Sequence, residues 1–444
     1  MYSIFLTGFD IFTMVIMGVV TLVVSKTLFK SYLSPLGTYG FIWALVLSLF
    51  FIRIIKYPAL GTEAAIAIFG SFLSFVTGSI LAISKIRDNT TASRRQTVDP
   101  EAFRDEYLQF RRRLKILVLV LSLISLAGAL KLLLDVYGIY GMAGITGNKT
   151  MTSRYALMDG ATSVSTVWGA MFSFVFPAGA LAGFMLSLRE WKNVTLYIPL
   201  LAAIVWSFAY SGRSSLLIVG ITYFAGYFLG TKVGWRRRSY NVRKLVYVAV
   251  LLVIFFLISS YIYSNRGGVS YSALQESQYA NYSVDPLTFA YYKYLTGPIA
   301  AFNYYVQHFD GQYSFGTSIF YPVFHQVEKL GLINLPFKQG IYMQAVAVPL
   351  NINIFTYLRA MYTDFGLAGV FIFPFLIGFI TSRLYIGLLS RPSVNRLILL
   401  AFFYVLIVTS PYEYMLFQSS TWFAILVVMF LVMLMQKKIR VSFR

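Results

Sequence analysis

The chain has 444 residues, of which 58% are hydrophobic and 12% charged, with a mean hydropathy of +0.71. A soluble globule has no place for that much apolar surface, and the absence of cysteine excludes disulfide frameworks and thiolate metal sites. The net charge of +21 gathers in a few connections between apolar runs, so it is a topological signal and not a footprint for nucleic acid.

These runs are solid, without the alternation of barrel strands, so helices are the spanning elements. Residues 1–9 carry no basic cluster and no small-residue cleavage site follows the first run, so no removable leader is expected. In chain order the sequence predicts about eleven transmembrane helices, at 4–25, 37–55, 62–84, 114–135, 164–188, 194–211, 214–231, 245–263, 365–386, 396–412 and 416–436. The stretch SKIRDNTTASRRQTVDPEAFRDEYLQFRRRLK holds nine basic residues, KVGWRRRSYNVRK six, and the tail QKKIRVSFR four. Basic connections stay on the cytoplasmic side. Alternation from these three then puts the N-terminus outside and the C-terminus inside. The expected fold is an all-α polytopic integral membrane protein, a single membrane-embedded domain over residues 1–444.

Two connections exceed loop length. Residues 85–113 form a cytoplasmic basic linker, with a short amphipathic helix around DPEAFRDEYLQFRRR lying on the membrane surface. Residues 264–364, between the eighth and ninth spans, form a long outer loop or cap. It is rich in tyrosine and has no tryptophan. A tyrosine ring suits the water–lipid boundary and equally the stacking and hydrogen bonding that sugars require. The apolar stretch from Pro286 to Tyr305 is expected to dip into the membrane or lie on it, roofing a cavity open to the outside.

Three arginines are expected near the outer face: Arg213 in YSGRSS, Arg266 in SNRGGVS and Arg359 in TYLRAMYTDFG. Snorkelling to a lipid phosphate explains any one of them. Three at one depth, each beside glycine or hydroxyl residues, make a pocket for a pyrophosphate, because guanidinium groups bind phosphate oxygens bidentately and keep their charge. Ser214 and Gly267 adjoin the first two as substrate contacts, and Tyr291, Tyr305, Tyr357 and Tyr362 supply rings for sugars. For the proton, His325 and Glu328 share a helical face at i+3. Asp364 stands five residues after Arg359, about 140° away on an ideal helix, and is either an N-cap of the ninth span or a catalytic carboxylate.

There is no D-x-D pair, no phosphate-binding glycine loop and no H-E-x-x-H, so neither nucleotide nor metal nor other cofactor is expected. The spans are expected to lack the buried carboxylate or lysine pairs of a proton-coupled transporter, with Asp10 and Glu413 the only candidates.

The topology, together with SGRSSLL, SNRGG and especially FTYLRAMYTDFGLAGVFIFPFLIGFITSRLY, resembles the Wzy-type O-antigen and polysaccharide repeat-unit polymerases, which are related to the O-antigen ligases. The resemblance implies a metal-independent glycosyltransferase of the bacterial inner membrane with its active site facing the periplasm. Its donor is implied to be a growing glycan on undecaprenyl pyrophosphate, and its acceptor a repeat unit on the same lipid. Membrane lipids, a chain-length regulator and a flippase are implied partners. Essential periplasmic arginines of such enzymes correspond to Arg213, Arg266 and Arg359. The ligases usually carry a histidine where this chain has Arg359, which favours polymerase over ligase. A flippase or other lipid-linked oligosaccharide transporter is the rival from another class.

Overall fold

The computed structural model describes residues 2–92, 100–146, 149, 152–153, 156–157, 167–188, 190, 192–210, 212, 214–233, 277–282, 284–334, 345–415 and 418–441. Within these, the side chains of 2–9, 84–92, 100–109, 146, 286–287 and 437–441 are not described. The helices are α1 (Tyr2–Phe29), α2 (Pro35–Ile52), α3 (Thr62–Ala92), α4 (Pro100–Tyr140), α5 (Met142–Thr146), α6 (Val167–Ser173), α7 (Val175–Ser187), α8 (Ile198–Ala209), α9 (Ser214–Val233), α10 (Pro286–Gln307), α11 (Tyr321–Lys329), α12 (Leu358–Ser390), α13 (Val394–Thr409) and α14 (Ser419–Val441). Among the described residues, eight helices are long and apolar enough to cross a membrane, and Val194–Ala209 and Val394–Thr409 are shorter apolar helices. The chain is therefore an all-α, multi-pass membrane protein. Each expected span falls on helix except 245–263, which lies outside the described residues.

One expectation changes. The linker at 85–113 is largely helix: α3 runs to Ala92, and residues 100–140 are one continuous α4. The amphipathic segment is thus the first turns of the fourth span, because no proline or glycine interrupts residues 101–127. The ninth span, expected at 365–386, lies within α12, which is broken at Phe365 and Gly366. The chain divides into two compact units: Met1–Gln96 with Ala273–Gly387 and Leu406–Ser419, and Thr97–Ser272 with Leu388–Val405 and Ser420–Arg444.

In the first unit α3 and α12 meet through two glycines. A Cβ on Gly78 would lie 2.1 Å from the Phe375 carbonyl oxygen, and one on Gly378 would lie 2.3 Å from that of Phe75. Neither side chain is possible there, so the two backbones approach as closely as small residues allow between membrane helices. Beside this crossing Tyr39 of α2 stacks on Phe75 at 3.8 Å. The hydroxyls of Tyr39 and Tyr357 share a hydrogen bond of 2.9 Å, and Trp43 Nε1 donates to Ser410 Oγ at 2.8 Å. The Tyr357 amide donates to the Ser410 carbonyl. The start of α12 is therefore tied to α2 by one bond and to the 410 turn by another, while the third joins α2 to that turn.

The outer loop contributes α10, α11 and a two-stranded antiparallel hairpin pairing Val346 with Ile352. Asp285 caps α10 by accepting from Thr288 N at 2.9 Å. Tyr292 donates to the Leu49 carbonyl, and Asn303 accepts from Gly61 N and donates to the Ala59 carbonyl. These bonds lay α10 along the chain between α2 and α3.

The second unit uses the same glycine device between α7 and α9. A Cβ on Gly183 would meet the Tyr223 carbonyl oxygen at 1.9 Å, and one on Gly226 the Ala180 carbonyl oxygen at 2.0 Å. Glu190, 8% exposed, is held by Arg111 and by Lys115 Nζ at 2.6 Å. A buried carboxylate is tolerable only with such partners. Lys131 pairs with Asp135 one turn on, and Trp168 Nε1 donates to the other Asp135 oxygen at 2.9 Å. This is an ionic pair inside a span, where none was expected, although both residues fall within the expected fourth span, 114–135, at i,i+4 spacing.

Candidate functional site

The site is built on the first two turns of α12. The helix breaks at Phe365 and Gly366, whose backbone angles (φ −143°, ψ 16° and φ 58°, ψ −144°) are not helical. The Gly366 conformation is open only to glycine. The break separates residues 358–364 from the long span, so this short segment is aimed independently of it.

Arg359 lies on that segment, 7% exposed. Its guanidinium carbon stands 3.9 Å from the centre of the Phe355 ring and 4.8 Å from that of Tyr305. Cation–π attraction to two rings that stand nearly at right angles, 74°, fixes the guanidinium, whose planar fork of N–H donors suits phosphate oxygens. The Tyr305 hydroxyl bonds Thr363 Oγ1 at 2.7 Å, and Thr363 Oγ1 donates to the Arg359 carbonyl, which orders the donors along that short chain. Burial raises the Tyr305 phenol above its ordinary value, opposed by the Thr363 hydrogen bond and by the Arg359 charge. The phenol is therefore a neutral hydrogen-bonding group at physiological pH.

One turn along, the Tyr362 ring meets Tyr305, Phe309 and Phe302 edge to face, with centroids 6.4, 5.3 and 6.2 Å away. Its hydroxyl donates to Glu63 Oε1 at 2.5 Å. Glu63 opens α3 and is exposed. The Gly78–Gly378 crossing brings the head of α3 to this place. Arg359, Tyr305 and Tyr362, all singled out in the sequence, thus come together, with Phe355, Phe309, Thr363 and Glu63 added.

The other expected site residues lie elsewhere. Arg213, Arg266 and Gly267 are outside the described residues, so a pocket of three arginines has one described member. Ser214 is exposed at the first position of α9, and Tyr291 is half-buried on α10. Tyr357 is only 1% exposed, with its hydroxyl engaged by Tyr39; enclosure on all sides removes it from the substrate contacts. His325 Nδ1 and Glu328 Oε2 are 3.4 Å apart on α11, as the i+3 spacing predicts, and the His325 ring stacks on Tyr321.

Asp364 neither caps the ninth span nor faces an open space. It is fully buried and accepts from Ser314 Oγ, from Ser318 N at 3.0 Å and from Ile319 N at 2.7 Å. The carboxylate anchors the 314–319 turn of the outer loop to the end of the short segment. The break at Phe365–Gly366 accounts for this: with the helix interrupted just after it, Asp364 turns to the neighbouring chain instead of its own amides.

Glu63 escaped notice because one acid opening a span reads as a partner for the helix dipole. Its signal was available: it is the only charged residue between Lys56 and Lys85.

No family model matches the chain, nor does any curated protein or solved structure.

Proposed function

We propose that this chain is a metal-independent glycosyltransferase that polymerises lipid-linked oligosaccharide repeat units. It transfers a growing glycan from undecaprenyl pyrophosphate to the incoming repeat unit at the outer face of a bacterial inner membrane. The observation that supports this most is the setting of Arg359. A guanidinium is held between Phe355 and Tyr305, on a short segment fixed by Tyr357 and Asp364, among tyrosines whose hydroxyls and ring edges match sugars. When a sugar hydroxyl attacks the anomeric carbon, negative charge grows on the departing pyrophosphate. A cation already fixed in place stabilises that charge without reorganising. Arg213 and Arg266 are assigned to the same anion, and Tyr305 and Tyr362 to the sugars.

A transport reading has one observation in its favour, the Lys131–Asp135 pair within α4, since ionisable groups inside spans mark ion and substrate paths. Its indole partner Trp168 fills the second acceptor oxygen of Asp135. The pair is thereby locked in a hydrogen-bonded arrangement, which suits an anchor between α4 and α6 better than a carrier.

The test is reconstitution of the purified protein with undecaprenyl-pyrophosphate repeat units, without nucleotide, followed by sizing of the product. A ladder in multiples of one repeat is expected. A single transfer to a different acceptor identifies a ligase, and movement of unchanged substrate across the vesicle membrane identifies a transporter.

A further inference from the structure

The proposed reaction needs a group to take the proton of the attacking hydroxyl, and the carboxylates singled out in the sequence are poorly placed for it. Asp364 is fully buried, with donors on both oxygens. Glu328 is engaged with His325 on α11, and neither Phe355 nor Tyr305, the rings at Arg359, lies on that helix. Glu63 differs on each count. It is exposed at the head of α3, and its Oε1 accepts from Tyr362, whose ring packs against Tyr305, the ring under Arg359. Oε2 takes no hydrogen bond among the described residues. Arg359 and Tyr362 are three positions apart on one short helical segment and so lie on the same side of it.

We propose that Glu63 is the general base of the transfer, with Tyr362 as its positioning residue; this rests on the glycosyltransferase reading above. The acceptor hydroxyl gives its proton to Glu63 Oε2 as its oxygen forms the new bond to the anomeric carbon. The bond from that carbon to the pyrophosphate oxygen breaks, and the electron pair leaves on the pyrophosphate beside Arg359. The proton then passes from Glu63 to water. Tyr362 acts by fixing the carboxylate: its hydroxyl holds Oε1, which leaves Oε2 to take the proton. The ligand class this adds is a sugar hydroxyl lodged between Glu63 and the Tyr362 ring edge.

The discriminating variant is Glu63→Gln. Its side-chain amide keeps an oxygen to accept from Tyr362, so a purely structural role is preserved while the base is lost. The expected result is a protein of unchanged thermal midpoint and unchanged affinity for undecaprenyl-pyrophosphate repeat units, with turnover down on the order of 10²-fold or more. Glu63→Asp recovers part of the loss. Tyr362→Phe leaves the carboxylate and removes its positioning bond, so kcat falls by about tenfold with KM nearly unchanged, as a lost net hydrogen bond of about 1.4 kcal/mol allows. Glu63→Gln turnover within threefold of wild type overturns the proposal. Loss of substrate affinity in parallel with turnover also overturns it, because Glu63 then only shapes the site. If the wild-type protein makes no polymer from a verified substrate, the glycosyltransferase reading itself fails, which is a distinct outcome.

Discussion

The two units use the same packing device to different ends. In each, a pair of helices crosses where two glycines face each other's carbonyl oxygens: Gly78 and Gly378 in the first, Gly183 and Gly226 in the second. Near the second crossing the step at Phe174, between α6 and α7, keeps near-helical angles (φ −65°, ψ −13°), and α9 carries buried Thr222 and Tyr223, whose hydroxyls bond to backbone carbonyls. Along the first crossing one partner, α12, breaks at Phe365–Gly366, and the piece beyond carries Arg359, Tyr362 and Asp364. A close glycine crossing by itself builds membrane scaffold. It builds a site when one helix is interrupted near it and the freed segment is pinned by polar contacts.

The largest effect expected from breaking this arrangement is at Arg359. Arg359→Ala leaves the protein in the membrane and lowers polymer yield roughly 10²–10³-fold, the usual loss for one preorganised charge-stabilising donor. Arg359→Lys does not restore it, since an ammonium neither stacks on Phe355 as a plane nor grips two phosphate oxygens. Wild-type yield from either variant in the reconstituted assay refutes the pyrophosphate role.

The paired crossings give the next test. Leucine at Gly378 or at Gly226 forces a side chain into a carbonyl oxygen, a cost of roughly 1–3 kcal/mol for overpacking of this kind, and both variants lower the thermal midpoint in detergent. The comparison is sharpened by turnover per folded molecule. Gly378→Leu loses it because the head of α3, and with it Glu63, shifts relative to Tyr362. Gly226→Leu loses activity only in proportion to the folded protein that disappears. Equal losses per folded molecule would erase the distinction between scaffold and site.

Asp364→Asn separates anchoring from chemistry. An amide must present its nitrogen to at least one of the donors that now face the carboxylate, Ser318 N, Ile319 N or Ser314 Oγ. Breaking hydrogen bonds to a buried charged group costs roughly 1.5–3 kcal/mol. The expected outcome is a lower midpoint and easier proteolysis at 314–319, with turnover of the folded fraction reduced severalfold. Loss of all turnover at an unchanged midpoint would instead make Asp364 the base and displace Glu63.

The positions of nearly all the spans were legible because a membrane helix must satisfy its own backbone and face lipid with apolar side chains, which leaves an unbroken run in the sequence. Arg359, Tyr305 and Tyr362 were legible too, as a charge and rings in an apolar setting near a span. What was not legible arises from contacts between distant segments. Glu63 is 299 positions from Tyr362 and gains its interest only through the Gly78–Gly378 crossing. Tyr357 looks like its neighbour Tyr362 in sequence, yet the hydroxyl of one meets Tyr39 and that of the other Glu63. Asp364 followed by Phe-Gly reads as a cap, and only the Gly366 conformation shows that the helix stops there.

The smallest expected effect concerns the second unit and the rival reading. Trp168→Phe keeps a ring beside Lys131, whose Nζ lies 5.5 Å from the indole, but removes the donor to Asp135. The loss is one hydrogen bond to a charged acceptor that is partly open to its surroundings, about 1 kcal/mol of stability at most. In a polymerase the ladder stays the same, because Asp135 anchors α4 to α6 and takes no part in the transfer. In a transporter Asp135 carries or gates the cargo, and releasing it from the indole changes the rate of movement across the vesicle membrane far more than it changes the midpoint. Measuring polymer length and substrate translocation on the same vesicles decides between them, since only one of the two readouts can move.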